Sequence, residues 1–242
     1  MRKLLFVGLA FAVFACPVLA QKAKPWTDWQ KKDAEKILND SAWGQTYTKD
    51  DSVPTGGAVT QVASNGGAGR QIGVNPNAES GEAKNSKAMK YRVRFMSAKP
   101  VREAFSRMVM LANPDPKLPE TMQTFIDRDF GNLLVVTVSI EADDPKMSAA
   151  AMGGLGKLTA DFLKDKVYIE RKDGKRLLLT DYRAPSADNL GAKFVFDRNL
   201  DGQPFVTPEA DTLKFNFELN PKLKFNVKFK VSSMMYDGKL EI

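Results

Sequence analysis

The sequence predicts an α+β protein: an N-terminal helix, then a strand-helix-helix-strand-helix segment, then a C-terminal antiparallel β meander. Three observations carry this. Near the C-terminus, Leu213, Phe215, Phe217 and Leu219 alternate with Lys214, Asn216 and Glu218. Phe225, Val227, Phe229 and Val231 likewise alternate with Lys224, Asn226, Lys228 and Lys230, the period-2 pattern of strands with one buried face. Asp-Gly pairs at 173–174, 201–202 and 237–238 punctuate the region, and Asp-Gly is a strong hairpin signal. Upstream, Val101, Phe105, Met108, Val109 and Ala112 recur at helical spacing behind Pro100, which suits a first helical turn.

Residues 1–20 read as a cleavable signal peptide. Arg2 and Lys3 form a positive start, residues 4–15 are apolar, Pro17 breaks the run, and Val18-Leu19-Ala20 suits cleavage before Gln21. The apolar run is too short to span a bilayer, and no later stretch approaches the roughly 20 residues a spanning helix needs. The mature chain is therefore expected in the periplasm or outside the cell. Cys16 gives the alternative of a lipid anchor.

The mature part has 222 residues, long enough for a core without staples, and it has no cysteine. Loss of Arg2 and Lys3 brings the formal charge from +7 to +5. With charges of both signs interspersed and export expected, nucleic acid is not the partner; an anionic envelope component or a glycan is. The chain has no histidine. That excludes Ser-His-Asp and Cys-His catalysis and every His-ligated metal, and no other cofactor is called for.

Residues 21–45 are expected to form a Trp-rich helical arm. Thr27 and Gln30 stand at capping-box spacing, and Ala34, Ile37, Leu38 and Ser41 share a face. Trp26 and Trp29, with Trp43, form either an aromatic platform for a ligand or anchors to the main body. Residues 46–88, rich in Gly, Ser and Asn, read as a mobile loop or linker. Residues 89–242 then make the α+β domain. Within it, residues 133–140 are β-branched and apolar on both faces, as a central strand requires.

Several segments resemble a group of uncharacterised secreted bacterial proteins. They are Trp26-Thr27-Asp28-Trp29 running on to Ser41, residues 95–104, Arg128-Asp129-Phe130-Gly131, residues 170–176 and residues 234–241. The resemblance implies a shared fold and export, with no activity to carry over.

Candidate sites come from the residues themselves. Lys224, Lys228 and Lys230 project from one strand face and would meet an anionic surface; the same lysines would also keep an exposed edge from pairing with other chains. Asp197, Asn199 and Asp201 before Gly202 match the first half of a calcium loop, but Pro208 stands where its bidentate Glu belongs. Asp127, Asp129, Glu141, Asp143 and Asp144 could supply the two carboxylates of a glycan hydrolase, or serve as helix caps and turn formers. Met234, Met235 and Tyr236 suggest an exposed contact patch. The leading expectation is an exported protein that acts by binding; a carboxylate-based hydrolase and a calcium-stabilised module are the alternatives.

Overall fold

A computed structural model of the chain describes residues 24–50 and 88–242. The signal peptide, Cys16 and residues 51–87 of the Gly-rich segment lie outside the described residues.

A 3-10 turn, Trp26–Asp28, leads into α1, Lys31–Asn39, so the helix covers only part of the arm expected over residues 21–45. Its cap also falls later than Thr27: the Asp33 carboxylate accepts from the Gln30 backbone N–H at 3.1 Å. Ser41 then turns the chain. Its hydroxyl donates to the Ile37 carbonyl at 2.6 Å and accepts from the N–H groups of Trp43 and Gly44. Gly44 is needed there, because a Cβ would fall 2.4 Å from the Leu38 carbonyl oxygen.

Residues 46–50, expected to begin the loop, instead belong to β1, Gly44–Asp50. Thr46, Tyr47 and Thr48 are good strand formers whose signal is diluted by the glycines that follow. β1 pairs antiparallel with β2, Ala88–Phe95, from Gly44 opposite Arg94 to Asp50 opposite Ala88. Arg94 joins α1 to this sheet. Its guanidinium donates to Leu38 O and Asn39 Oδ1 at 2.9 Å each and to Ser139 Oγ at 3.1 Å. Burial lowers its pKa to about 10. The N-terminal segment is thus part of the folded body: Ala34 and Leu38 are in the core, and Arg107 of the next helix donates to Trp29 O at 2.6 Å.

The chain continues through α2 (Lys99–Ala112), α3 (Leu118–Ile126), β3 (Leu133–Ala142), α4 (Pro145–Leu155) and α5 (Ala160–Leu163). Then come β4 (Val167–Arg171), β5 (Arg176–Arg183), β6 (Ala192–Asp197), β7 (Asn199–Leu200) and β8 (Gln203–Pro204). The last elements are β9 (Thr212–Asn220), β10 (Leu223–Lys230), β11 (Met235–Tyr236) and β12 (Lys239–Leu240). Eight strands make one antiparallel sheet in the order β1-β2-β3-β6-β5-β4-β9-β10.

The C-terminal strands share this one sheet with β1, β2 and β3. β6 pairs with β3, so β4 to β6 run back across the sheet, and β9 and β10 extend it beyond β4. The terminal residues leave the sheet, and β11 and β12 form a small hairpin of their own around Asp237 and Gly238, both at positive φ.

The large sheet curls until its two edge strands face each other. The ring of Tyr47 on β1 stacks on Phe225 of β10, with centroids 4.8 Å apart, and Phe95 meets Phe229 at 4.7 Å. Phe194, Phe215 and Phe217 fill the space between. If α1 belongs to this core, Leu38→Ala should lower the stability of the whole domain by about 2–5 kcal/mol. Chemical denaturation checks this; an unmoved main transition would show that the helix is an independent arm.

Candidate functional site

Arg102 and Glu103 are buried in the first half of α2, at 6% and 5% exposure. Arg102 stands three residues before Phe105 and seven before Val109, on the apolar stripe. Its Nε donates to Ile126 O at 2.8 Å, the carbonyl that ends α3, and its Nη1 donates to Met96 O and Ser97 O. A cation suits a helix C-terminus, where carbonyls lack partners.

Glu103 accepts from the Tyr236 hydroxyl. The Tyr236 ring packs edge-on against Trp43 at 6.1 Å, and Trp43 Nε1 donates to Glu241 O at 2.6 Å. Met234 is fully buried, so the expected 234–236 contact patch is for the most part interior; Met235 alone is exposed. Glu241 completes the knot. Ala98, the N-cap of α2, offers no side-chain acceptor, and the Glu241 carboxylate takes the Lys99 N–H at 2.7 Å from 142 residues away.

These contacts wall a cavity of about 290 Å³, lined by Arg102, Arg128, Asp129, Phe130, Arg198 and Glu241 among others. The Phe130 ring lies 5.1 Å from the Arg102 guanidinium and 5.6 Å from that of Arg128, a cation–π arrangement. The turn before β3 is set by Asp129, whose carboxylate accepts from Gly131 N at 2.8 Å with Gly131 at positive φ. Arg198, just after β6, is held by its own N–H on Asn132 O at 2.6 Å and by Nη2 on Leu133 O at 3.3 Å. Its Nε is buried without a partner.

None of the three arginines makes a salt bridge among the described residues. Burial holds the Arg102 and Arg198 guanidiniums below the usual arginine value, with Glu241 the foremost opposing charge. Residues 95–104, 128–131 and 234–241, far apart in sequence, all reach this cavity.

The residues singled out from sequence are distributed elsewhere. Lys224, Lys228 and Lys230 stand exposed on β10, facing away from Phe225, Val227 and Phe229. Lys224 pairs with Glu218 at 2.9 Å and Lys214 with Glu170 at 2.5 Å, whereas Lys228 and Lys230 have no described carboxylate in salt-bridge range. Trp26 and Trp29 are half-buried, and Trp29 Nε1 is used on Lys24 O at 3.0 Å.

Asp201 and Gly202, at φ 53° and 75°, form the two-residue turn between β7 and β8, and Asp197 accepts from Asn199 N at 2.9 Å. Turn chemistry thus places Asp197, Asn199 and Asp201. Among the described residues no group of three or more Asp or Glu is placed to hold a metal.

The five acidic candidates fall at opposite ends of β3. Asp127 and Asp129 precede it, while Glu141, Asp143 and Asp144 lie at its far end, roughly 30 Å away for ten extended residues. Glu141 is engaged by Arg92 at 2.9 and 2.6 Å, and Asp144 caps α4.

No protein-family model matches the sequence, and no curated protein matches it. Among solved structures, a novel protein of unknown function from Burkholderia pseudomallei K96243 is similar at 11% identity and a TM-score of 0.35, over 57% of this chain and 72% of that one. A likeness at that score carries no argument about function.

Burial raises the Glu103 carboxyl above its ordinary value of 4.5, against the opposing pull of the Tyr236 hydrogen bond. The folded state then holds this proton more tightly than the unfolded chain. The stabilisation is complete below 4.5 and is lost as pH rises through the raised folded value. Glu103→Gln, which keeps an acceptor for Tyr236, should therefore gain stability relative to wild type between about pH 4 and about pH 7. Urea titrations at the two pH values check this, and a difference independent of pH would refute it.

Proposed function

We propose that the mature chain is an exported protein that acts by binding an anionic component of the cell envelope rather than by turnover. One contrast supports this reading. The five acidic candidates are divided between the two ends of β3, and Glu141 and Asp144 are committed to an arginine and a helix cap. Several cations, in contrast, form no salt bridge among the described residues: Lys228 and Lys230 on the outer face of β10, and the three arginines of the cavity.

The sheet face is mixed rather than uniformly basic, because Glu170 and Glu218 neutralise Lys214 and Lys224. Attraction to an anionic surface is then concentrated at Lys228 and Lys230, on the edge strand β10. A lysine near such a surface contributes on the order of 1 kcal/mol, so a charge reversal at two of them has a measurable effect.

The double variant Lys228→Glu/Lys230→Glu should lose at least about tenfold in co-sedimentation with phosphatidylglycerol vesicles at low salt, while keeping its melting temperature. Undiminished retention would reject these lysines as the contact. Export has its own test: mass spectrometry of the protein from its producing cells should give a chain beginning at Gln21. A full-length chain would contradict the cleavage, and an acylated Cys16 would replace the soluble form with an anchored one.

A further inference from the structure

We infer that the cavity between Arg102, Arg128 and Arg198 is a binding site for a phosphoryl group. The inference rests on the anion-binding reading above and gives it a site and a ligand class.

The site is built from three separate parts of the fold. Arg102 comes from α2, Arg128 from the turn after α3, and Arg198 from the turn after β6. Each is held before any ligand arrives. Arg102 is fixed by three carbonyls, Arg128 lies over the Phe130 ring, and Arg198 is fixed through Asn132 and Leu133. Side chains already ordered lose little further freedom on binding.

The protein leaves a donor unpartnered at this cavity. The cavity is lined by three guanidiniums, by the side-chain acids Asp129 and Glu241, and by Ile242. Glu241 is occupied by the Lys99 N–H and Asp129 by the Gly131 N–H. Burial disfavours the charged form of Arg102 and of Arg198, and Arg198 Nε has no acceptor in the protein. A buried cationic donor without a partner is unfavourable, and an anion bound in the cavity relieves that penalty.

The number and origin of the donors select the anion. A carboxylate offers two oxygens in one plane and is satisfied by a single guanidinium fork. Arg102 keeps its Nη2, Arg198 its Nε and Arg128 its guanidinium, and donors from three parts of the fold suit a group with three or more oxygens arranged about a tetrahedral centre. A volume of about 290 Å³ admits such a group with a small substituent. Phe130 gives that substituent an apolar wall. The chemistry is shared by a free phosphate ester and by a phosphomonoester lipid head group.

Isothermal titration of the mature chain with inorganic phosphate at low salt should give saturable binding, and sodium acetate none. Arg128 is exposed, so Arg128→Gln should fold normally and weaken phosphate binding about tenfold or more, the effect of losing one charge-assisted contact. Arg198→Gln should weaken it as well.

Vesicles with and without phosphatidic acid separate the two sources. Preferential retention on phosphatidic acid, competed by inorganic phosphate, assigns a lipid head group. Phosphate binding without that preference assigns a free ester. Either result supports the site. No saturable phosphate binding, equal binding of acetate, or wild-type affinity in Arg128→Gln would overturn it. If phosphatidylglycerol vesicles still retain the protein through Lys228 and Lys230, the site alone has failed; if they do not, the anion-binding reading has failed with it.

Discussion

The contact on which the rest of the structure turns is the engagement of Glu241 with the start of α2. The first turn of a helix leaves N–H groups without partners, and Ala98 cannot supply an acceptor. Glu241 does so from the other end of the domain, and a carboxylate there is also favoured by the helix dipole. Its carbonyl is fixed at the same time by Trp43 Nε1. One residue thus joins the N-terminal segment, α2 and the chain after β12, and it forms one wall of the arginine-lined cavity.

The curled sheet provides the frame for that knot. Its strands alternate so that aromatic rings fill the concave side, and the stacking of Tyr47 on Phe225 brings together strands that are not hydrogen-bonded neighbours. Large rings are suited to this because each buries much surface and constrains its neighbours' geometry. The convex side of β4, β9 and β10 carries a ladder of charges in which Arg176 and Lys214 both meet Glu170. That ladder leaves Lys228, opposite Lys214 in the register, without a salt bridge among the described residues.

Much of this was legible along the chain because it depends on local repetition. The alternation in β9 and β10, the apolar run of β3, the Asp-Gly turns at 173–174, 201–202 and 237–238, and Asp144 as a cap all follow from neighbours within a few residues. β1 was hidden because only seven residues of strand precede a long Gly-rich stretch. The lysines of β10 were found because an outward-facing charge announces itself by its period. The arginines of the cavity were not, because Arg128 and Arg198 sit in turns, where no period exists. Arg102 alone left a trace, a cation on the apolar stripe of a helix.

By itself the sequence determined the α+β class, the absence of imidazole chemistry, and which face of each late strand is buried, since these follow from composition and from periods of two and about 3.6 residues. Only the tertiary structure decided that β6 lies beside β3, that α1 and β1 belong to the main body, and that Arg102, Arg128, Arg198 and Glu241 meet. These are contacts between residues dozens to more than a hundred positions apart. Their partners are chosen by packing and by the need to satisfy buried polar groups, and neither is written in any local stretch of chain.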